Sequence, residues 1–307
     1  MLGRTVPVLL GVSLLVFLII HAIPGDPAVI AAGLEATPDT VQKIRQDLGL
    51  DRPLLEQFLT FLARALQGEL GTSIRTGSPV AEEIADRLPY TVRLAGWSIL
   101  VSTVLGLVAG TVAAVSRSRA SAGGFVARIL DPAVMSVTLL AVSTPSYWLA
   151  LMLMLVFSAW LGLLPSIGVG TAAHFVLPVV TLGLQSAGLV ARLTRGALLD
   201  VLHDEYLRAA RAKGVSERRV IVRHALANAL LPISAIVGLR FGGLLAGTVL
   251  VESVFAIPGV GRMMVDAVIA RDFPMIQGGV LVVATLYVLV NAATDALAPV
   301  LDPRLRT

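Results

Sequence analysis

Six long apolar runs, at about residues 5–23, 92–115, 133–157, 175–191, 232–251 and 275–298, constrain this chain more than any other feature in it. A helix needs roughly 20 apolar residues to cross the hydrocarbon core of a bilayer, and each run is near that length. Residues 5–23 contain no charged side chain. A signal peptide is the competing reading of that run. The run is long for a signal core and no small-x-small cleavage site precedes Pro24, so an uncleaved first span is expected. Apolar residues make up 56% of the 307-residue chain and charged residues 14%, with a mean hydropathy of +0.85, which argues against soluble domains of that combined length. The expected fold is an all-α membrane protein with six transmembrane helices, forming one transmembrane domain over residues 1–307.

Pro89, Pro132, Pro178, Pro232 and Pro274 stand at or just before the last five runs. Proline is tolerated in a first helical turn, where its missing donor would be unpaired anyway, so each is predicted to open a span. Pro145 falls inside the third run and predicts a kink there. Trp97 and Trp160 fall where an outer interfacial belt would lie. Residues 24–90 are polar and predict an external loop, left through the rigid stretch Pro24 to Pro27. Thr37-Pro38-Asp39, Pro53 and Ser78-Pro79 are helix-start signals. Val41, Ile44 and Leu48, then Leu55, Phe58, Leu59 and Leu62, recur at helical spacing and predict short amphipathic helices packed on one another and on the outer membrane face.

Short loops set orientation. Residues 117–128 carry Arg117, Arg119 and Arg128 without an acid, residues 192–224 carry more bases than acids, and residues 158–174 have no Lys or Arg. Both termini and the 192–228 loop are therefore expected inside. The basic pI near 9.9 does not point to nucleic acid: Lys43 and Lys213 are the only lysines, and the arginines are spread among loops. The chain has no cysteine, so neither disulfides nor thiol chemistry enter.

One polar, Arg-rich island interrupts this pattern, from Glu205 to Pro232. Its first part, rich in Ala, Leu and Arg, predicts a helix over about 200–213, which Gly214 ends as a left-handed residue. Ser216 is placed to cap a second helix running to Pro232. Catalytic signatures are missing. There is no Gly-Lys dipeptide and hence no P-loop for ATP, no metal spacing among His21, His174, His203 and His224, and no GxSxG elbow. The chain is read as non-catalytic, with no cofactor of its own.

The island resembles the cytoplasmic EAA loop of ABC-importer permeases, in the form used by the dipeptide/oligopeptide/nickel/glutathione permease family. The matching residues are Glu205, Tyr206, Arg208, Ala210, Arg211, Ala212, Lys213, Gly214 and Ser216, followed by His224, Ala225, Asn228, Ala229 and Pro232. Arg208 stands directly before Ala209-Ala210 where the broader loop has Glu, which favours the peptide-type subfamily. The resemblance implies the type I importer architecture in a bacterial inner membrane. It also implies a second homologous permease, two cytoplasmic ATPases that bind ATP and Mg, and an extracytoplasmic substrate-binding protein. Peptides are the implied cargo, with glutathione, nickel chelates or oligosaccharides as alternatives. The coupling-loop residues so implied are Glu205, Tyr206, Ala209, Ala210, Arg211, Gly214, Val215 and Ser216. Arg211, Arg218 and Arg219 are expected at the acidic rim of an ATPase cleft.

Candidates for the translocation pathway are polar residues within the spans. Arg240 lies eight residues past Pro232, about 12 Å along a helix. An arginine at that depth costs roughly 2.5–3.5 kcal/mol against lipid, so it should face a cavity, a companion chain or Glu252. Glu252, Gln185 and Asn291 are further candidates, with Asp295 behind them. A stand-alone secondary transporter or channel is the rival class. Its acid or histidine relays in mid-span are missing, and no inverted repeat is visible.

Overall fold

The computed structural model describes residues 2–22, 27–32, 36–47, 49–120 and 124–301. The helices follow in the order α1 (Leu2–Ala22), α2 (Pro27–Ala32), α3 (Pro38–Asp47), α4 (Leu54–Leu66), α5 (Val80–Ala120), α6 (Phe125–Ser143) and α7 (Ser146–Leu153). A π-helical stretch, Met154–Trp160, continues α7. After it come α8 (Val176–Leu202), α9 (Glu205–Ala212), α10 (Glu217–Arg219), a second π stretch (Val220–Ala225), α11 (Leu226–Val254), α12 (Val260–Ala270) and α13 (Phe273–Leu301). Among the described residues the only extended pairing is an isolated bridge between Thr72 and Pro79.

The apolar runs become helices as their composition dictates. Val80–Arg119, Phe125–Ser143, Ala172–Leu202, Ile236–Val254 and Phe273–Thr294 are each long and apolar enough to cross a membrane, and Val6–Leu18 and Ser146–Trp160 are shorter apolar segments. The chain is an all-α membrane protein.

Three of the five prolines do not open their helices. Pro89 and Pro132 lie inside α5 and α6, and α11 runs through Pro232. The reason is that each helix extends beyond its apolar run. In α5, Val80 and Ile84, about one turn apart, are buried on one face ahead of Pro89, and Glu82 and Glu83 suit the electropositive helix start. Pro178 and Pro274 do sit in first turns. At Pro145 the expected kink is a full break. Thr144 is extended, as a residue before proline prefers, and Pro145 takes the position before α7. The Pro24–Pro27 exit falls largely outside the described residues.

Two compact units divide the chain. The first joins residues 1–91 to 257–288 and holds α1–α4, the start of α5, α12 and the first part of α13. Its core is Val80, Ile84, Val260, Met263, Ala267 and Met275. Asp272 ties the 73–75 loop to α13: Ser73 Oγ and the backbone amides of Ile74 and Arg75 donate to its carboxylate, and so does the amide of Met275. Thr37 caps α3 through the Thr40 amide at 3.3 Å. On α4, Phe58 and Phe61 pack on Phe17 of α1.

The second unit, residues 92–256 with 289–307, is built on α8. Small residues let its neighbours approach closely. A Cβ added at Gly110 of α5 would stand 2.4 Å from the Ala191 carbonyl oxygen, and one at Gly188 of α8 would stand 2.5 Å from that of Thr138 on α6. Close backbone approach of this kind is how helices associate in lipid, where burial of apolar surface supplies little drive between them.

Candidate functional site

Only His203 and Asp204 separate α8 from α9. Helix α9 stops as its composition predicts. Gly214 has φ +75°, the Gly214 amide donates to the Arg211 carbonyl at 3.0 Å and the Val215 amide to that of Ala210 at 3.2 Å. This pair of bonds is a Schellman turn, and only glycine takes its left-handed residue without strain. Ser216 stands at the position before α10, but its side chain makes no cap; its carbonyl accepts the Arg219 and Val220 amides instead.

One face of this helix–turn–helix is buried and the other bare. Leu207 is fully buried in a cluster with Leu198, Leu202, Val220, Ala225, Ala229 and Ile233, and Ala210 and Val215 pack against it. Glu205, Tyr206, Arg208, Ala209, Ala212, Lys213, Gly214, Arg218, Arg219 and Arg223 are exposed. The bare face is therefore small-residued at its centre and strongly basic at its edges.

Two polar ties fix the hairpin. Arg211 grips Glu217 with two prongs, Nε to Oε2 at 3.0 Å and Nη2 to Oε1 at 3.1 Å, closing across the Gly214 turn. These bonds, with the nearby charges of Arg211 and Arg119, hold the Glu217 carboxyl below its usual range against the opposing effect of burial. Asn228 Nδ2 donates to Tyr206 Oη at 2.6 Å, joining α9 to the start of α11. Arg211 is thus engaged within the chain, whereas Arg218 and Arg219 form no ion pair among the described residues.

The pathway candidates do not converge. Arg240 is exposed on α11 and forms no ion pair among the described residues, whereas Glu252 is fully buried on the same helix. Twelve residues of helix put about 18 Å between them, which excludes the expected Arg240–Glu252 pair. Gln185 Nε2 donates to the Thr144 carbonyl at the α6–α7 break, so its amide serves a helix tie. Asn291 Oδ1 on α13 is buried without a partner among the described residues. The side chain of Asp295 is outside them.

Sequence reasoning missed Arg195. It forms a two-pronged pair with Asp131, joining α8 to α6. The signal was an acid and a base each lying within an apolar helix, but their 64-residue separation hid the partnership. The first unit has a cleft of about 150 Å³ lined by Ser73, Arg75, Glu83, Arg87, Asp266 and Asp272, among others. Arg87 is paired with Glu83 and Asp266 with Arg262 there, so it reads as a satisfied surface fold.

Comparison with known proteins bears on both units. Residues 106–307 match the family described as binding-protein-dependent transport system inner membrane component, and residues 1–95 match its N-terminal companion. Glutathione transport system permease protein GsiC of Escherichia coli (strain K12) is 42% identical over 301 residues, 98% of this chain and 95% of that protein. The protein of the same name from Pectobacterium atrosepticum is 44% identical over the same span. Among solved structures, an inward-facing MetNI methionine ABC transporter aligns with TM-score 0.59 and 21% identity, over 71% of this chain and 96% of that one. An amino acid ABC transporter with histidines aligns with TM-score 0.51 and 18% identity, over 73% and 94%. These structures agree in fold.

Proposed function

The chain belongs to the family of binding-protein-dependent transport system inner membrane components, and we propose that it forms half of an import pathway for short peptides, glutathione foremost, driven by ATPases that act on the 205–216 hairpin. As a family member it is a non-catalytic permease subunit of an ATP-driven importer, embedded in the bacterial inner membrane. Glutathione is favoured because relatives that share 42–44% of residues over 98% of the chain carry that cargo in their names. Di- and oligopeptides belong to the same chemical class.

The observation that carries the coupling role is the bare face of α9. A short helix with Ala209, Ala212 and Gly214 uppermost fits closely into a groove, and Arg208, Lys213, Arg218 and Arg219 suit acids at its rim. In this reading Glu205, Ala209, Gly214 and Ser216 meet the ATPase. Tyr206, Ala210, Arg211 and Val215 instead hold the hairpin to the permease. The proposed assembly has a second, homologous permease, two cytoplasmic ATPases and an external substrate-binding protein, with both termini of this chain in the cytoplasm. Arg240, unpaired in the described chain and deep in its span, is assigned to the pathway, where it would meet a carboxylate of the cargo.

The test is uptake into proteoliposomes holding the reconstituted transporter, with labelled glutathione and trialanine as probes. Import of either, lost in Gly214→Val while the assembly stays intact, supports the reading. Undiminished import in Gly214→Val overturns the coupling assignment, and import of neither probe by the unaltered protein overturns the cargo.

A further inference from the structure

Three contacts lie along one seam between α6 and α8. At one end Arg195 meets Asp131, Nε to Oδ1 at 2.6 Å and Nη2 to Oδ2 at 2.7 Å. In the middle Gly188 lies against the Thr138 carbonyl so closely that a Cβ would clash. At the far end Gln185 donates to the Thr144 carbonyl where α6 stops. The order 131, 138, 144 against 195, 188, 185 is that of antiparallel helices, and the first step is seven residues on each.

The ion pair differs in kind from the other two ties. Its Asp131 side chain is 8% exposed and its Arg195 side chain 28%. Apolar packing tolerates sliding and small rotations, whereas a planar guanidinium with two parallel bonds to one carboxylate fixes position and angle together. Removing Arg195 leaves the buried Asp131 carboxylate uncompensated. Arg195 also lies seven residues before the end of α8, and α8 leads through two residues into α9, whose Leu207 packs with Leu198 and Leu202. A push on α9 therefore reaches α8 directly, and α6 packs on α8 along this seam.

We propose that the Asp131–Arg195 pair is a positioning element of the transport cycle, locking α6 to α8 in register so that both move as one body when α9 is displaced. This rests on the reading of the 205–216 hairpin as the coupling loop. The pair touches no cargo, and its role is to convert displacement of the loop into displacement of α6.

The experiment uses the whole transporter, with the permease partner, ATPases and binding protein present. The chain lacks cysteine, so Val126→Cys on α6 and His203→Cys after α8 can carry a unique spin-label pair once the partners' own cysteines are replaced. The interspin distance is measured without nucleotide and after trapping with ATP and vanadate. In the otherwise unaltered chain the distance is expected to stay the same in both states. In Asp131→Asn and Arg195→Gln it should broaden or split, while the ATP hydrolysed per molecule of imported glutathione or trialanine rises about tenfold. Arg195→Lys, which keeps the charge but loses the fork, should fall between. A distance that changes between states in the unaltered chain overturns the proposal, as does an Asp131→Asn protein with unchanged distance and stoichiometry. Should Asp131→Asn fail to assemble, Arg195→Lys decides: distance and stoichiometry identical to those of the unaltered chain overturn the proposal, and values shifted from them support it. Failure of the coupling-loop reading would appear separately, as undiminished uptake in Gly214→Val whatever the spin labels report.

Discussion

Gly214 and Gly188 are both glycines for reasons a side chain would violate, but the reasons differ. Around Gly214 there is open space, and the constraint is its φ of +75°. A β-branched residue there costs roughly 1–2 kcal/mol of backbone strain and unseats the Schellman turn. Around Gly188 the backbone is ordinary and the constraint is the Thr138 carbonyl. Gly188→Ala should therefore lower the melting temperature of the purified chain, with overpacking costing about 1–3 kcal/mol. Gly196→Ala, in the same helix with nothing within 4 Å, should leave that temperature unchanged or raise it. Glu217 gives a prediction in pH. Its carboxyl is held below the usual range, so the stability it adds to the hairpin is fully present above the unfolded value of about 4.3 and is lost as pH falls through the lower folded value. Glu217→Gln should thus loosen residues 205–217 in amide exchange at pH 7. That difference from the unaltered protein should shrink towards zero near pH 3. The pair is partly exposed, so the effect is within about 1 kcal/mol.

At the scale of elements, the 205–217 hairpin and the 71–80 loop are held in contrasting ways. The hairpin has an apolar anchor, Leu207, and two side-chain ties. Leu207→Ala should detach α9 more than loss of either tie, because a buried leucine truncated to alanine costs about 2–5 kcal/mol. Protease access to residues 203–216 would report it. The 71–80 loop instead converges on one carboxylate, with Ser73, Ile74, Arg75 and Met275 all donating to Asp272. Asp272→Ala should expose the loop to proteolysis without altering the 203–216 pattern, since the two belong to different units. The prolines belong to this scale too. Whether one opens a helix or lies inside it depends on whether the preceding residues can bury a face, as Val80 and Ile84 do ahead of Pro89.

For the whole molecule, the chain carries no P-loop motif, so ATP hydrolysis is expected from partner ATPases. The chain reconstituted alone is expected to show no ATP hydrolysis, and hydrolysis stimulated by the binding protein should appear only with the ATPase partners present. Much of this was legible in the chain itself. The lengths of the apolar runs determine a helical membrane protein, because a backbone in lipid must satisfy its own hydrogen bonds. The Ala-rich segment ending in Gly214 determines a helix and its stop, because those preferences act over neighbouring residues. Only the folded structure decided that Arg211 reaches across the turn to Glu217, that Gln185 closes a helix break, and that Asp131 is paired with Arg195. The Gln185 and Asp131 contacts depend on which faces of distant helices come together, and sequence periodicity says which face is apolar without saying what it will touch.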